Sequence, residues 1–375
     1  MTSCIPDTLP LENLNWREIV PLVGHANACL ARYDGMLQTL PNPNILLSPI
    51  TANEAVLSSK IEGTQATLDE VLEADAGLVT SEARRDDIEE ITNYRAAVRI
   101  AETALQERPV SCSLIREVHQ RLLQGVRGRD KTPGAFREDQ NWVGRYGDPI
   151  DKARFVPPSP PVLLSALENW EQYIQSETED PTLQVAIAHA QFEILHPFKD
   201  GNGRIGRMLI PLLLFQRNAL SRPMFYMSEY LESNRAEYYD RLLAITEQGD
   251  WHGWITFFLN AMSVQAERNL SKVRDVRDLY EETKRQVVEV THSQFAMGAV
   301  DALFAQPIIS GTAFAKNAGF ANRVTANNML RQLEAERIIT RIRDGSGRTP
   351  AIYALLSLIN VTEGRPVFYG EKRSR

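Results

Sequence analysis

A chain of 375 residues is long enough to bury a large core and to form two or three domains. At 43% hydrophobic and 24% charged, with a net charge of -7, it has the composition of a soluble globular protein and is unsuited to indiscriminate binding of nucleic acid. No window approaches the unbroken apolar length of a membrane span. The N-terminus, Met-Thr-Ser-Cys-Ile-Pro-Asp, lacks the basic-then-apolar order of a signal peptide, so a cytoplasmic location is expected. Cys4, Cys29 and Cys112 are far apart and read as reduced thiols, with no spacing that suits a structural zinc.

Most of the chain reads as helix, and a mainly α fold is expected. Ser48-Pro49 is a cap followed by a first-turn proline, and Thr51–Ile61 then runs without a breaker to Gly63. A second helix is expected from Thr64, with Leu68, Val71 and Leu72 at helical spacing, and a third from about Asp86 to Glu107. Further helices are expected at Ser113–Leu123, Pro161–Ser176, Pro181–Leu195, Arg204–Asn218 and Ser233–Glu247. Between 134 and 158 the pattern breaks. Gly144, Gly147-Asp148-Pro149 and Pro157-Pro158 punctuate two short runs, Phe136–Val143 and Ala153–Val156, which read as an exposed β-hairpin or as a long surface loop.

A long polar helix from Ala261 to Val290 closes the helical body. Beyond it, Phe295–Gln306, Gly311–Asn317 and Arg323–Arg337 are expected as three short helices. Ile338–Arg343 and Ile352–Leu355 then flank Asp344-Gly345-Ser346-Gly347-Arg348, which is the plan of a winged helix. From Thr291 onward there are 11 Lys and Arg against 6 Asp and Glu, a basic module on an acidic body.

The densest chemistry lies at His196-Pro197-Phe198-Lys199-Asp200-Gly201-Asn202-Gly203-Arg204-Ile205-Gly206-Arg207. Residues 201–206 spell G-x-G-x-x-G, but a dinucleotide fold needs a strand before the glycines. The preceding TLQVAIAHAQFEIL is Ala- and Gln-rich with helical spacing, so that reading is rejected. The alternative is helix, short loop, helix. Free N–H groups at the second helix start attract phosphate oxygens, and Gly201 and Gly203 let the backbone approach them. Arg204 and Arg207 add charge at i and i+3. Asp200 is a hard carboxylate suited to Mg²⁺, and His196 is placed to deprotonate an attacking hydroxyl. His189, seven residues before His196 on a similar helix face, makes a two-histidine metal site conceivable, a reading set aside here.

These twelve residues match every fixed position of the signature HPF-x-(D/E)-GNGR-x-x-R, and over about residues 10–290 the chain resembles the Fic family. Phe136-Arg137, Gln140-Asn141-Trp142 and Phe155-Val156-Pro157-Pro158 resemble its flap, a β-hairpin that would bind a target in extended form by edge pairing. The resemblance implies transfer of AMP from ATP to a Ser, Thr or Tyr hydroxyl of a target protein or of the enzyme itself, with Mg²⁺. His196 would be the general base and Asp200 the metal ligand. Gly201, Asn202 and Gly203 would form the anion hole, while Arg204 and Arg207 hold the phosphates; Ile205 and Gly206 would also belong to the nucleotide-binding site. In Ser233-Asn-Arg-Ala-Glu-Tyr-Tyr-Asp240, the resemblance makes Asn234, Tyr238 and above all Tyr239 candidates for the nucleotide pocket.

Ser58-Ser-Lys-Ile-Glu-Gly63 matches the family's inhibitory motif (S/T)-x-x-x-E-(G/N). The resemblance implies that Glu62 pairs with Arg207 and blocks the productive pose of ATP, with Ser58 bonding in the same site. A carboxylate on that arginine removes the γ-phosphate's partner and repels the phosphate. Removal of AMP from a modified target is a further activity that Glu62 could assist. The expected division is an N-terminal helical segment with the inhibitory helix (1–105), a catalytic core (106–262), a linker helix (263–290) and a winged helix (291–375). A rival reading is a DNA-binding regulator whose core senses nucleotide, using Arg323, Asn327, Asn328, Arg331, Arg341, Arg343 and Arg348. Winged helices also serve dimerisation or protein binding, so a homo-oligomer is another use of the module.

Overall fold

The computed structural model describes residues 3–78, 81–126, 129–144, 149–347 and 349–366. In chain order its helices are α1 (Trp16–Thr39), α2 (Pro43–Leu46), α3 (Ser48–Ile61), α4 (Leu68–Asp75), α5 (Glu82–Ala104), α6 (Cys112–Leu122), α7 (Pro160–Gln175), α8 (Pro181–Leu195), α9 (Asn202–Gln216), α10 (Ser228–Ser233), α11 (Arg235–Gln248), α12 (Trp251–Thr291) and α13 (Ala296–Ala305). Strand β1 (Ile308–Ser310), α14 (Gly311–Asn317), α15 (Arg323–Ala335), β2 (Thr340–Arg343), β3 (Ile352–Ala354) and α16 (Leu356–Glu363) follow. The chain is mainly α, as its periodicity indicates.

Four departures from expectation have local causes. Thr64 does not start a helix, because its N–H returns to Ser59 O at 3.2 Å and closes α3; α4 starts four residues later, where Glu70 Oε2 accepts the Thr67 N–H at 3.0 Å. The helix expected over Ser233–Glu247 is two helices divided at Asn234, whose N–H and side-chain amide both return to Tyr230 O. The two strands expected over Phe136–Val143 and Ala153–Val156 narrow to one bridge, Val143 to Phe155, with a 3₁₀ turn at Ile150–Lys152. Much of the polar capacity of residues 137–141 is spent on the neighbouring helix end instead: Arg137 N–H donates to Pro197 O, and Asn141 Nδ2 to Phe198 O. Strand β1 was not anticipated, because three residues are too few to show a period. Gly147, Asp148 and Arg348 lie outside the described residues.

The contacts gather the chain into two compact units. The first comprises residues 1–35, 57–64 and 89–269, and the second 36–56, 65–88 and 270–375. In the first unit α8 is the core. It is largely apolar and buried at nearly every position, so other helices pack about it. The indoles of Trp170 and Trp254 donate to its carbonyls at Ala188 (2.9 Å) and Ala186 (2.8 Å). In the second unit the sheet order is β1-β3-β2, antiparallel throughout, with Ile308 and Thr340 both opposite Ala354. Its core joins Ala52, Leu68 and Leu72 to Ile308, Ile352, Ala354 and Ile359. Among the described residues no helix is long and apolar enough to cross a membrane.

Candidate active site

The loop between α8 and α9 is fixed by hydrogen bonds on nearly every side. Helix α8 stops at His196, which takes the left-handed conformation (φ 45°) while its N–H still bonds Phe192 O. Arg137, fully enclosed, donates from Nε to His196 O at 2.9 Å and from Nη2 to Pro158 O and Leu195 O. It thus satisfies the carbonyls that a helix end leaves open. Asn202, the first residue of α9, reaches back: its Oδ1 accepts the Phe198 N–H and its Nδ2 donates to Phe198 O, both at 2.8 Å. The buried Phe198 ring stacks on His119 at 3.7 Å. Gly134 N–H donates to His119 Nδ1, so the ring proton is on Nε2 and donates to Asp200 O at 2.9 Å.

A cavity of about 690 Å³ opens above this loop. It brings together His196, Gly203, Arg207, Glu62 and Tyr239 of the residues the sequence singled out. Burial pushes the His196 imidazole down to about 4, with the Glu62 charge opposing and Arg137 reinforcing the fall. The ring is therefore neutral at pH 7 and free to take a proton. Arg207, 1% exposed, donates from Nε to Ser58 Oγ at 3.0 Å, and from Nη2 to Ser58 O at 2.8 Å and Glu62 Oε1 at 2.7 Å. A Cβ at Gly203 would overlap Glu62 Oε1 and lie 2.9 Å from Arg207 Nη1, so only glycine admits this pair so close to the helix start. The guanidinium groups of Arg154 and Arg235 each lie 5.9 Å from the centroid of the Tyr239 ring.

Other predicted residues sit elsewhere. Arg204 is 1% exposed, bonds Glu90 at 3.1 Å and Asp200 at 3.2 Å, and is not among the residues lining the cavity. Asn202 spends its side chain on the loop, and neither Ile205 nor Gly206 lines the cavity. Asn234 is helix punctuation, and Tyr238 is buried with its hydroxyl 3.0 Å from His189 Nε2. His189 Nδ1 donates to Gly206 O at 2.9 Å, so both its nitrogens are engaged. Glu90 and Glu193 were missed by sequence reasoning, and Arg137 was read only as part of the flap: each is one charged residue with no spacing that marks its contacts. The Arg204–Glu90 pair is structural. Replacing Glu90 with glutamine leaves a buried guanidinium with only Asp200 and should cost about 3 kcal/mol, read as a lower denaturant midpoint with the helical spectrum unchanged.

The donor set fits a magnesium ion carried in by a ligand, and does not form a protein cage. Asp200, 33% exposed, is a single carboxylate with one oxygen on Arg204, and no group of three or more His, Cys, Asp or Glu that could hold a metal occurs among the described residues. One carboxylate completed by phosphates and water is the usual magnesium environment.

A helical hub, a histidine at the helix end and a glycine-arginine helix start together define a Fic-type fold and site. Residues 20–103 match the family described as Fic/DOC family N-terminal, and residues 109–214 that described as Fic/DOC family. The chain belongs to the Fic/DOC family. It is 28% identical over 197 residues to a probable protein adenylyltransferase of Aquifex aeolicus, covering 50% of this chain and 55% of that one. To the protein adenylyltransferase Fic of Culex quinquefasciatus it is 30% identical over 178 residues, 46% of this chain and 32% of that one. The chain thus spans about half or less of these curated relatives. Among solved structures, a Fic family protein of Desulfovibrio desulfuricans G20 superposes with a TM-score of 0.60 at 20% identity, over 92% of this chain and 97% of that one. Caenorhabditis elegans Fic-1 (residues 134–508) does so with 0.53 at 20% identity, over 69% and 73%.

Proposed function

We propose that the protein transfers AMP from ATP to a hydroxyl of a target protein, or of itself, and is held in check by Glu62. One observation carries the reading: a neutral imidazole, a glycine helix start and a buried arginine line one cavity, and a carboxylate occupies that arginine. His196 takes the proton of a Ser, Thr or Tyr hydroxyl as its oxygen attacks the α-phosphorus; the bond to the β-phosphate bridge breaks and pyrophosphate leaves. N–H groups at the start of α9, from Gly201, Asn202 and Gly203, receive the α- and β-phosphates. Arg207 takes the γ-phosphate once Glu62 leaves, while Arg204 acts indirectly by orienting Asp200. Magnesium, held by Asp200 when bound with ATP, would neutralise phosphate charge. Tyr239 and the apolar wall of α11 receive the base.

The test is mass spectrometry of Glu62→Gly protein incubated with a mixture of nucleotides and a cell lysate. Addition of AMP to a protein supports the reading; addition of another group reassigns the donor, and no addition overturns the transferase. If AMP is instead removed from a modified target by the unaltered protein but not by the Glu62 variant, the reverse activity is the physiological one.

A second reading concerns the C-terminal module, whose helix-strand-helix-helix-strand-strand order supports a winged helix. On α15, Arg323, Asn327, Asn328 and Arg331 are all exposed, which favours a DNA-reading face. Arg341 is tied to Glu334 and Asp344, and Arg343 to Pro350 O, so those two contribute less. A salt-dependent shift of duplex DNA by the full chain, lost on Arg323→Ala with Arg331→Ala, supports this face. No shift leaves the module to protein binding or self-association.

A further inference from the structure

Arg207 has two carboxyl neighbours but bonds only one. Glu193 lies on α8 one turn before His196 and lines the same cavity as Glu62 and Arg207. Its Oε1 is buried with no hydrogen-bond partner, which is costly for an ionised oxygen and cheaper for a neutral acid. The carboxyl rests on the bare Cα of Gly206, where a Cβ would overlap Oε1. Glycine at 206 therefore holds open a place for it beside Arg207.

We propose that Glu193 is a positioning residue for Arg207: it carries a proton whenever another anion occupies the guanidinium, and ionises to hold Arg207 itself when that anion leaves. The inference rests on reading Arg207 as the polyphosphate-binding arginine. The surroundings leave few other charges to consider. From α8 itself His189 and His196 are neutral, pushed down by burial to about 3 and about 4. From α11 Tyr238 and Tyr239 are neutral phenols, both raised by burial. Lys152, Arg154 and Arg235 also line the cavity, but the charges that act on Glu193 are Arg207 from α9 and Glu62 from the end of α3. Burial pushes the Glu193 carboxyl up to about 8, Arg207 pulls it down, and Glu62 adds to the rise.

One positive charge cannot support two carboxylates in so enclosed a place, so Glu62, with the hydrogen bond, keeps its charge and Glu193 keeps its proton. When Glu62 leaves, Glu193 releases that proton to solvent and pairs with Arg207 in place. When a polyphosphate arrives, its charge stands where Glu62 stood, and Glu193 takes a proton back. Exchange of Glu62 for a polyphosphate is then nearly proton-neutral, while binding to a protein lacking Glu62 consumes a proton.

Carbon-13 carboxyl NMR of glutamate-labelled full-length protein tests this directly, with Glu193→Gln identifying the signal. The Glu193 carboxyl should titrate above pH 7 in the unaltered protein, and lower by about one pH unit or more in Glu62→Gln. A midpoint in the ordinary carboxylate range, or one indifferent to Glu62→Gln, overturns the proposal. This readout contains no nucleotide, so its failure leaves the transferase reading standing. A second measurement uses MgATP. In Glu62→Gly protein its KM should rise several-fold from pH 7 to pH 9, and Glu62→Gly with Glu193→Gln should abolish the rise. A rise that persists in the double variant overturns the role of Glu193.

Discussion

Glu62→Gly should raise nucleotide transfer by about 10- to 100-fold, measured as label incorporated from ATP at fixed target concentration. Arg207 is buried, its Nη2 is spent on Glu62 Oε1 at 2.7 Å, and the carboxylate stands beside the helix start at Gly203. A polyphosphate must displace that contact, and charge-assisted hydrogen bonds contribute about 1.5–3 kcal/mol each, which at roughly 1.4 kcal/mol per tenfold gives the stated range. The substitution should be structurally mild, because Glu62 follows the last residue of α3 and its N–H already closes a turn on Ser59 O at 3.0 Å. Glu62→Gln, which keeps the shape and removes the charge, should fall between the two. Burial pushes the Glu62 carboxyl up, but the charge and hydrogen bond of Arg207 outweigh it and leave it below the usual value. The pair therefore persists through the neutral range and weakens only as pH falls through that depressed pKa, so acidification from pH 8 to 6 should not release the enzyme. Equal transfer by Glu62→Gly and unaltered protein would sink the brake.

The parts of this site legible in the sequence are those where chemistry sits at consecutive positions. His196 through Arg207 declared a helix-loop-helix with a base, because proline and glycines can be read without knowing what lies opposite. The pairing of Glu62 with Arg207 was also anticipated, but only through family resemblance; nothing in the spacing of residues 58–63 points 145 positions ahead. Arg204 shows the limit. Its motif position implied a phosphate ligand; that it also pairs with Glu90, a buried acid in a charged helix, was not legible from spacing. Arg137 and Glu193 were hidden for the same reason. A charge acquires its role from what folding brings against it, here the end of α8 and the bare Cα of Gly206. Among the elements, the capped helices α7 and α8 were legible to within a residue or two, but α1 was not read and α12 begins at Trp251 rather than Ala261; the interleaving of the two units along the chain was not legible either. It depends on Ala52, Leu68 and Leu72 packing with strands more than 200 residues away.

His196→Ala in the Glu62→Gly background should lower transfer by at least 100-fold, within the about 10²–10⁴ range of a positioned proton acceptor. The imidazole is neutral because burial holds it down to about 4. The rate of the Glu62→Gly enzyme should therefore show no His196-dependent decline from pH 8 down to pH 6, and should drop only as the ring protonates near its depressed pKa. Loss of fold is separable from loss of the base. The main chain at 196 is held by its own N–H on Phe192 O and by Arg137 on its carbonyl, independently of the ring. Alanine tolerates the left-handed backbone at 196 less well than asparagine, so His196→Asn is the gentler variant. Both should keep the helical spectrum and lose transfer together. If either retained transfer within about tenfold of the parent, the proton would have another acceptor and His196 would be only the hinge between α8 and the phosphate loop.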